Sequence, residues 1–305
     1  MDIIIHHSIS DLYKSLNLPF EQDIDFTIHF KPDIHPHIPF KSPVFRADYF
    51  YFGFIKDGSG SYTLDENKFP FSPGTIYFTN PGHIKSYEVD DLKDAYMITL
   101  TENFLRENVH PDIFDEFPFL LAEVVPPMVL SEKKFGEFET IYKQIFYEYG
   151  KKSVYKNKIL GNLFVVLLLK MKEEFWQNYN PLNEGNRNSR IVKSFKHLLE
   201  SEFKKVVEKK QSFRKLQARH FAKKLNLHPN YLNSVIKSKT GKTINEWITS
   251  RNLSTAKSLL KNTVLSAKEI AYILGFSEPT HFNRFFKKHL DKTPIEYRKN
   301  QHSLN

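Results

Sequence analysis

Amide, hydroxyl, guanidinium and ammonium side chains recur at helical spacing in two stretches near the C-terminus, "NYLNSVIK" (230–237) and "THFNRFFKK" (280–288). Amide and guanidinium groups hydrogen-bond to base edges in the major groove of DNA, and ammonium groups neutralise phosphates. The outward-facing residues are predicted to be Asn230, Asn233, Ser234 and Lys237 in the first stretch and Thr280, Asn283, Arg284, Lys287 and Lys288 in the second.

Each stretch forms the second half of a repeated helix–turn–helix pattern. The segment 221–247 aligns with 270–297, so that Ala222 matches Ala271 and Asn226 matches Gly275. A small alanine lets two helices cross closely, and the turn requires a residue that tolerates positive φ, as Gly does freely and Asn better than most residues. The second helix of each copy is predicted to bury its apolar residues, namely Tyr231, Leu232, Val235 and Ile236, then Phe282, Phe285 and Phe286. A helical bundle that merely repeats is the structural alternative.

The charge of the chain is divided unevenly between its two parts. From Arg187 onward there are 26 Lys and Arg against 8 Asp and Glu, whereas the preceding residues have a net charge of −9. This division predicts a C-terminal part that meets a polyanion, and solvated basic helices are the alternative.

The stretch "SAKEIAYILGFSEPTHFNRFFKKHLDKTPIEYR" (266–298) closely resembles the signature of the AraC/XylS family of bacterial transcription regulators, and the resemblance extends over about 191–299. It shares the "IA…LGF" turn, the "FNRFFKK" helix and the closing "TPIEYR". Asp291 is a departure, because the family usually has glycine there; a left-handed Asp is expected to preserve the turn. A second departure is "HPN" (228–230), with Pro229 suited to a first helical turn.

The resemblance implies two helix–turn–helix units, at about 217–240 and 266–290, joined by a connecting helix (243–261) that sets two recognition helices about one DNA turn apart. By position it assigns base contacts to Asn230, Asn233, Ser234, Thr280, Asn283 and Arg284. It assigns phosphate contacts to Lys237, Arg251, Lys287 and Lys288. For Arg284 an ion pair with Glu296 or a phosphate contact is the alternative. Double-stranded DNA is therefore the expected partner, with RNA polymerase as a second one if the protein activates transcription.

The preceding part is read as strands and then two helices, so the expected fold class is α+β. Short apolar runs between turn signals predict an antiparallel β-barrel or sandwich over 1–130, which is similar in layout to the family's cupin-like regulatory region. Two amphipathic helices are predicted over 131–180; they either pair with a second subunit to make a homodimer or pack within the chain. A polar linker (181–189) and the all-α DNA-binding domain with both units (190–305) follow.

A small barrel offers a cavity for a small-molecule effector. Arg46, Tyr49, Tyr51 and His83 are the predicted effector-binding residues, and Phe54, Tyr77, Phe78 and Lys85 are further candidates. Each has an alternative role: the aromatics as core, Arg46 on the surface, and His83 in a turn. The pairs His6–His7 and His35–His37 are candidate metal ligands. Catalytic cupins have His-x-His followed by a Glu on adjoining strands, and no such arrangement is in register here, since the 45 residues after His37 contain no histidine, so no metal and no cofactor are expected.

Three functions remain open on these residues. The first is a DNA-binding transcription regulator with a ligand-responsive cupin-like domain. The second is a constitutive regulator whose N-terminal domain only dimerises. The third, an enzyme with a cupin fold and a basic tail, is disfavoured because no nucleophile elbow or phosphate-binding loop is present in the sequence. The absence of cysteine, of a secretory signal and of a long apolar run predicts a cytoplasmic protein with no membrane contact.

Overall fold

The computed structural model describes residues 3–19, 24–30, 38–110, 112–122, 124–176, 185–209 and 216–302. Within these residues the chain divides into two compact units. The N-terminal unit comprises the residues up to Val109 together with Phe117–Trp176, and the C-terminal unit comprises His110–Glu116 together with the residues from Gly185 onward. Residues 181–184 of the predicted linker, and His35 and His37, lie outside the described residues. The rest of the predicted linker is described, and α6, defined below, already begins at Arg187.

The N-terminal unit is built on one mixed sheet, which over the described residues has nine strands. They are β1 (Ile4–His6), β2 (Phe26–Phe30), β3 (Phe40–Lys41), β4 (Phe45–Ala47), β5 (Phe50–Leu64), β6 (Asn67–Phe71), β7 (Thr75–Thr79), β8 (Ile84–Leu100) and β9 (Met128–Val129). The sheet is antiparallel as predicted, except that β1 runs parallel to β4. Parallel pairing requires a long connection between the two strands, and the segment that contains helix α1 (Ile9–Ser15) supplies it.

The remaining helices follow the strands along the chain. They are α2 (Glu102–Asn108), α3 (Ile113–Glu116), α4 (Glu132–Tyr149), α5 (Lys156–Phe175), α6 (Arg187–Lys209), α7 (Ala218–Lys224), α8 (Pro229–Thr240), α9 (Ile244–Asn262), α10 (Ala267–Ile273), α11 (Pro279–Leu290) and α12 (Pro294–His302), with a 3-10 turn at Pro118–Leu121. The two helices predicted over 131–180 are therefore α4 and α5. None of the helices in the described part of the chain is long and apolar enough to cross a membrane.

Strands β5 and β8 organise the sheet because they pair along almost their whole length. The pairing shifts register at three places, between Ile55 and Asp57, between Asp57 and Gly58, and between Ser59 and Gly60. Bulges of this kind bend a strand and increase its twist. One half of β5 also pairs with β7 and the other half with β6, and one cavity is lined by Tyr51 of β5, Phe71 of β6 and Tyr77 of β7. The sheet therefore curves around that cavity.

Alternation along β5 separates the two faces of the sheet. The rings of Phe52 and Phe54 lie on the helical side, where Phe52 contacts Phe164 of α5 and Phe54 stacks on Phe135 of α4. Tyr49 and Tyr51 lie on the other side and line the cavity. Because side chains of a strand alternate between faces, one strand supplies both a packing surface and a binding surface.

The C-terminal unit has two hydrophobic cores that share the long helix α9. The first core joins α6, α7 and α8 with Ile244 and Ile248 of α9, and the second joins α10, α11 and α12 with Leu259 and Leu260 of the same helix. The predicted connecting helix is confirmed. Ala222 and Ala271 are buried at the crossings, as the repeat predicted, whereas Tyr231 is 40% exposed and not part of the core.

The turn conformations also agree with the sequence. Asn226 has φ 53° and Gly275 has φ 80°, so both copies make the turn with a left-handed residue. Asp291 has φ 54° at the end of α11, where Gly241 occupies the equivalent position after α8. Asp291, where the family usually has glycine, therefore still ends α11 in the left-handed conformation, with some backbone strain.

Candidate functional site

Two matched stripes of polar side chains lie on α8 and α11. Their members are exposed and stand four and then three residues apart, at Asn230, Ser234 and Lys237 and at Thr280, Arg284 and Lys287. The repeat places these residues at equivalent positions, fifty apart. Because such spacing follows one face of a helix, each helix presents a continuous polar edge above its buried apolar residues.

Asn233 does not share the environment of the exposed stripe. It is half-buried, and its Oδ1 accepts a hydrogen bond of 3.0 Å from the backbone N–H of Ile244 at the start of α9. The matched residue in α11, Asn283, is exposed. The residue equivalent to Ile244 is Pro294, which has no N–H to donate, so Asn283 cannot make the same bond.

The predicted phosphate contact of Arg251 is wrong. Arg251 is 6% exposed, with Nε 3.3 Å from Glu200 Oε2 and Nη1 donating to Thr255 Oγ1 at 2.7 Å. The guanidinium also lies over the ring of Phe203 in α6. Helix α6 covers this face of α9. Arg251 therefore links α9 to α6 and is not exposed to a phosphate.

Glu296, the alternative ion-pair partner of Arg284, instead forms a capping box with Thr293 at the start of α12. Glu296 Oε2 accepts from the backbone N–H of Thr293 at 2.7 Å and from its hydroxyl at 2.8 Å, and these bonds lower the pKa of Glu296. Thr243 and Glu246 make the same box at the start of α9. No ion pair of Arg284 occurs within the described residues, and its exposed guanidinium stays with the polar edge of α11.

The cavity in the N-terminal unit has a volume of ≈ 260 Å³. Its walls are mainly aromatic and include Tyr13, Phe45, Tyr49, Tyr51, Tyr77 and Tyr87. Burial raises the pKa of Tyr49 and Tyr51 well above the ordinary value, so both phenols are neutral hydrogen-bonding groups at neutral pH.

The structure divides the predicted effector residues into two groups. Tyr49, Tyr51, Tyr77 and Lys85 line the cavity, as predicted, whereas Phe54 and Phe78 point to the helical side. Arg46 and His83 do not line the cavity either, and these predictions are corrected.

The two corrections have a common cause in the pairing of the strands. Arg46 alternates with Phe45 on β4, so its side chain leaves the cavity on the opposite face. His83 is 3% exposed, with its Nδ1 2.7 Å from Asp65 Oδ2, and it fixes the turn before β8.

Lys85 is the ammonium group of the cavity. It is 2% exposed, and its Nζ donates to Thr79 Oγ1 at 2.8 Å. Burial lowers the pKa of Lys85 from 10.5 to about 7, against the opposing fields of Asp65 and Asp48. Lys85 is one of the further candidates predicted from the sequence, and its alternation with Tyr87 and Val89 on β8 is the signal that these residues share a face.

His6 was considered as a metal ligand, but the structure makes it part of the cavity wall. It is 5% exposed, its Nδ1 lies 3.1 Å from the hydroxyl of Tyr49, and burial lowers its pKa. No group of three or more histidine or acidic side chains suited to a metal ion occurs among the residues that the structure describes.

Comparison with known proteins matches both units. A family model described as a helix-turn-helix domain matches residues 221–300, and one described as an AraC-like ligand binding domain matches residues 42–118. These ranges contain, respectively, α8 and α11 and most of the strands that line the cavity.

Relatives align with the chain over most of its length. The Msm operon regulatory protein of Streptococcus mutans serotype c is 26% identical over 264 residues, which cover 84% of this chain and 86% of that protein. The transcriptional activator RhaR of Enterobacter sp. strain 638 is 24% identical and covers 79% of this chain and 81% of its own. Among solved structures, the C-terminal domain of AraT, a response regulator from Geobacillus stearothermophilus, is 30% identical over 38% of this chain and 88% of that domain, with a TM-score of 0.33. The chain belongs to the AraC family of DNA-binding transcription regulators.

Proposed function

We propose that this regulator places α8 and α11 in successive major grooves of one DNA duplex and that an effector in the cavity modulates its activity. The observation that supports the DNA part most directly is the pair of matched, exposed stripes on the two helices. One stripe presents Asn230 and Ser234, and the other presents Thr280 and Arg284, which are side chains that can hydrogen-bond to base edges.

The two helices are proposed to read DNA differently. Asn233 is engaged at the start of α9, so in α8 base contacts fall to Asn230 and Ser234. In α11 the exposed Asn283 and Arg284 stand side by side, and a guanidinium can bind guanine with two hydrogen bonds. We therefore propose that α11 contributes more to sequence specificity than α8. Lys237, Lys287 and Lys288 are exposed and are proposed to contact phosphates.

The test begins with selection of bound duplexes from a random pool, which should yield two half-sites about one helical turn apart. Arg284→Ala should then weaken binding to the selected site by about 1–3 kcal/mol and relax its preference at one position. Lys287→Ala should weaken binding to selected and random duplexes alike. It should also reduce the slope of log affinity against log salt concentration by about one, the effect of losing one phosphate contact.

Lys133→Ala, on α4 in the N-terminal unit, removes one exposed charge elsewhere and should change neither measurement. Equal losses on selected and random DNA for Arg284→Ala would show that Arg284 does not read a base. A pool that yields no common site would contradict sequence-specific binding.

A homodimer through α5 is proposed on the exposed apolar residues of that helix. Tyr155, Ile159, Val166 and Leu169 are between 37% and 67% exposed, and with exposed Asn162 they are spaced four and three residues apart in alternation. This is the spacing of a coiled-coil seam, in which a single Asn sets the register of a second, identical helix.

Sedimentation of the full chain at increasing concentration tests the dimer. Val166→Glu should shift the mass to that of a monomer, whereas Lys152→Glu, just outside the helix, should not. A wild-type chain that stays monomeric at high concentration would contradict the proposal. Contact with RNA polymerase, expected if the protein is an activator, stays a prediction.

A further inference from the structure

The cavity of the N-terminal unit contains an ammonium group without a counter-ion. Lys85 is 2% exposed, and of the three donors of its ammonium one is used, by Thr79 Oγ1 at 2.8 Å. Within the described residues no carboxylate lies at ion-pair distance from Lys85. A buried charge that lacks a partner is costly, so its retention inside a cavity calls for a role.

The carboxylates whose fields reach Lys85 are engaged by other groups. Asp65 binds His83 Nδ1 through Oδ2 at 2.7 Å and accepts from the backbone N–H of Ile84 through Oδ1 at 3.1 Å. Asp48 lies 3.2 Å from His7 Nδ1. The chain therefore holds nearby acidic groups away from the ammonium and leaves the position of a counter-ion to a bound molecule.

A second polar group lines the same cavity with an unused atom. His6 Nδ1 is hydrogen-bonded with the hydroxyl of Tyr49, whereas its Nε2 is buried and has no hydrogen-bond partner among the described residues. A neutral imidazole with its proton on Nε2 can donate one hydrogen bond. Lys85 and His6 thus each offer a hydrogen-bond donor at the wall of the same cavity.

The rest of the wall favours an apolar body on that ligand. Phe45, Tyr51, Phe71 and Tyr77 contribute ring surfaces, and Met97 and Leu92 add aliphatic contacts. An apolar cavity of about 150 Å³ accommodates benzene, so ≈ 260 Å³ corresponds to a molecule of about ten non-hydrogen atoms. A phosphate dianion calls for more than one cation, whereas the described residues of the lining include one lysine and no arginine.

We propose that the cavity binds a small monocarboxylic acid with an aromatic or aliphatic body, and that its carboxylate pairs with the ammonium of Lys85 while its body packs against the tyrosine and phenylalanine rings. This inference deepens the proposed ligand response and rests on it for its regulatory meaning. Binding itself requires only the N-terminal cavity.

Calorimetric titration of the full chain tests the charge requirement. The probes are phenylacetate, benzoate and octanoate, with phenylacetamide as the neutral counterpart of the first. At least one acid should bind with a measurable heat, and phenylacetamide should bind more than tenfold more weakly than phenylacetate. Failure of all three acids to bind, or equal binding of the acid and the amide, would overturn the inference.

Two variants identify the group that recognises the acid. Lys85→Met should lose the acid by more than tenfold, whereas Arg46→Met, which removes a cation that does not line the cavity, should bind it as the wild type does. Lys85→Gln provides a second variant if the methionine protein does not fold. Undiminished binding to either Lys85 variant would refute the role of the ammonium.

DNA binding of the same preparations separates this inference from the proposed function. If the chain selects a DNA site but binds no carboxylate, the ligand class is wrong and DNA recognition stands. If an acid binds to Lys85 but no DNA site is selected, the cavity is as inferred and the DNA-binding mode is wrong. If the acid binds but does not change DNA affinity or transcription, the ligand response fails.

Discussion

Replacing Lys85 with methionine should make the N-terminal unit more stable, because burial of this ammonium is unfavourable. The pKa of Lys85 falls from 10.5 to about 7 in the folded chain. Each unit of pKa corresponds to about 1.4 kcal/mol, so the charged form is destabilised on folding by about 5 kcal/mol. Methionine keeps an unbranched side chain in the cavity wall without the charge.

The stabilisation should depend on pH in a defined direction. Below pH 7 the lysine is charged in both the folded and the unfolded chain, so the full cost of burial is present. Between pH 7 and 10.5 the unfolded chain binds the extra proton, and the stability of the wild type therefore rises with pH. Methionine leaves the Thr79 hydroxyl without its donor, which costs about 1 kcal/mol. The net gain of Lys85→Met should be roughly 3–4 kcal/mol at pH 6 and should vanish by about pH 10.

Urea unfolding followed by tryptophan fluorescence measures this difference in the full chain. The chain has two tryptophans, and Trp176 stacks on Phe119 in the N-terminal unit. In a Trp247→Phe background, Trp176 alone reports the unfolding of that unit. Arg46→Met provides a control that should show no such pH dependence.

Two results would refute the reasoning about Lys85. One is a Lys85→Met protein that is less stable than the wild type at pH 6. The other is a difference between the two proteins that does not change between pH 6 and pH 9.5. Either result would mean that the ammonium already has a compensating partner in the free chain.

Three further changes test the structural roles assigned above. Arg251→Ala should lower the free energy of unfolding of the C-terminal unit by about 3–5 kcal/mol, because it breaks a buried ion pair with Glu200 and a buried hydrogen bond to Thr255, and it should not reduce the salt dependence of DNA affinity. Asp291→Gly should raise the midpoint of thermal unfolding by relieving left-handed strain of about 1 kcal/mol. Gly161→Ala should lower the unfolding free energy by about 1–3 kcal/mol in urea, because its Cβ would collide with the carbonyl of Asn108; unchanged stability would contradict the close crossing of α2 and α5.

Local pattern was sufficient to predict the C-terminal unit in considerable detail. The repeat, the small residues Ala222 and Ala271, and the turn residues Asn226 and Gly275 all depend on conformational preferences and spacings within a few residues of the chain. Those preferences act over one helical turn, which is why the positions of both helix–turn–helix units and the connecting helix were predicted to within a few residues.

The roles of individual polar side chains depended on neighbours that are distant in sequence. Arg251 carries the positive charge expected of a phosphate contact, but α6 lies against it and supplies Glu200 as its ion-pair partner. Asn233 and Asn283 are equivalent in the repeat, and they differ because Ile244 offers an N–H where Pro294 offers none. The difference between Ile244 and Pro294 is visible in the sequence, but its effect on the two asparagines becomes clear only once the structure shows which atoms are in contact.

The cavity was decided by the tertiary structure alone. The sequence indicates Tyr49, Tyr51 and Phe54 alike as cavity candidates, and it does not show which face of β5 is concave or which charged residue reaches that face. Pairing of β4 and β5 with β8 directs Arg46 away and brings Lys85 and Tyr87 inward beside Tyr51. The sequence alone thus determined the elements and their polarity, because these follow from interactions along a few residues. Only the folded chain determined which charge is buried, because burial depends on strands and helices that meet across many residues.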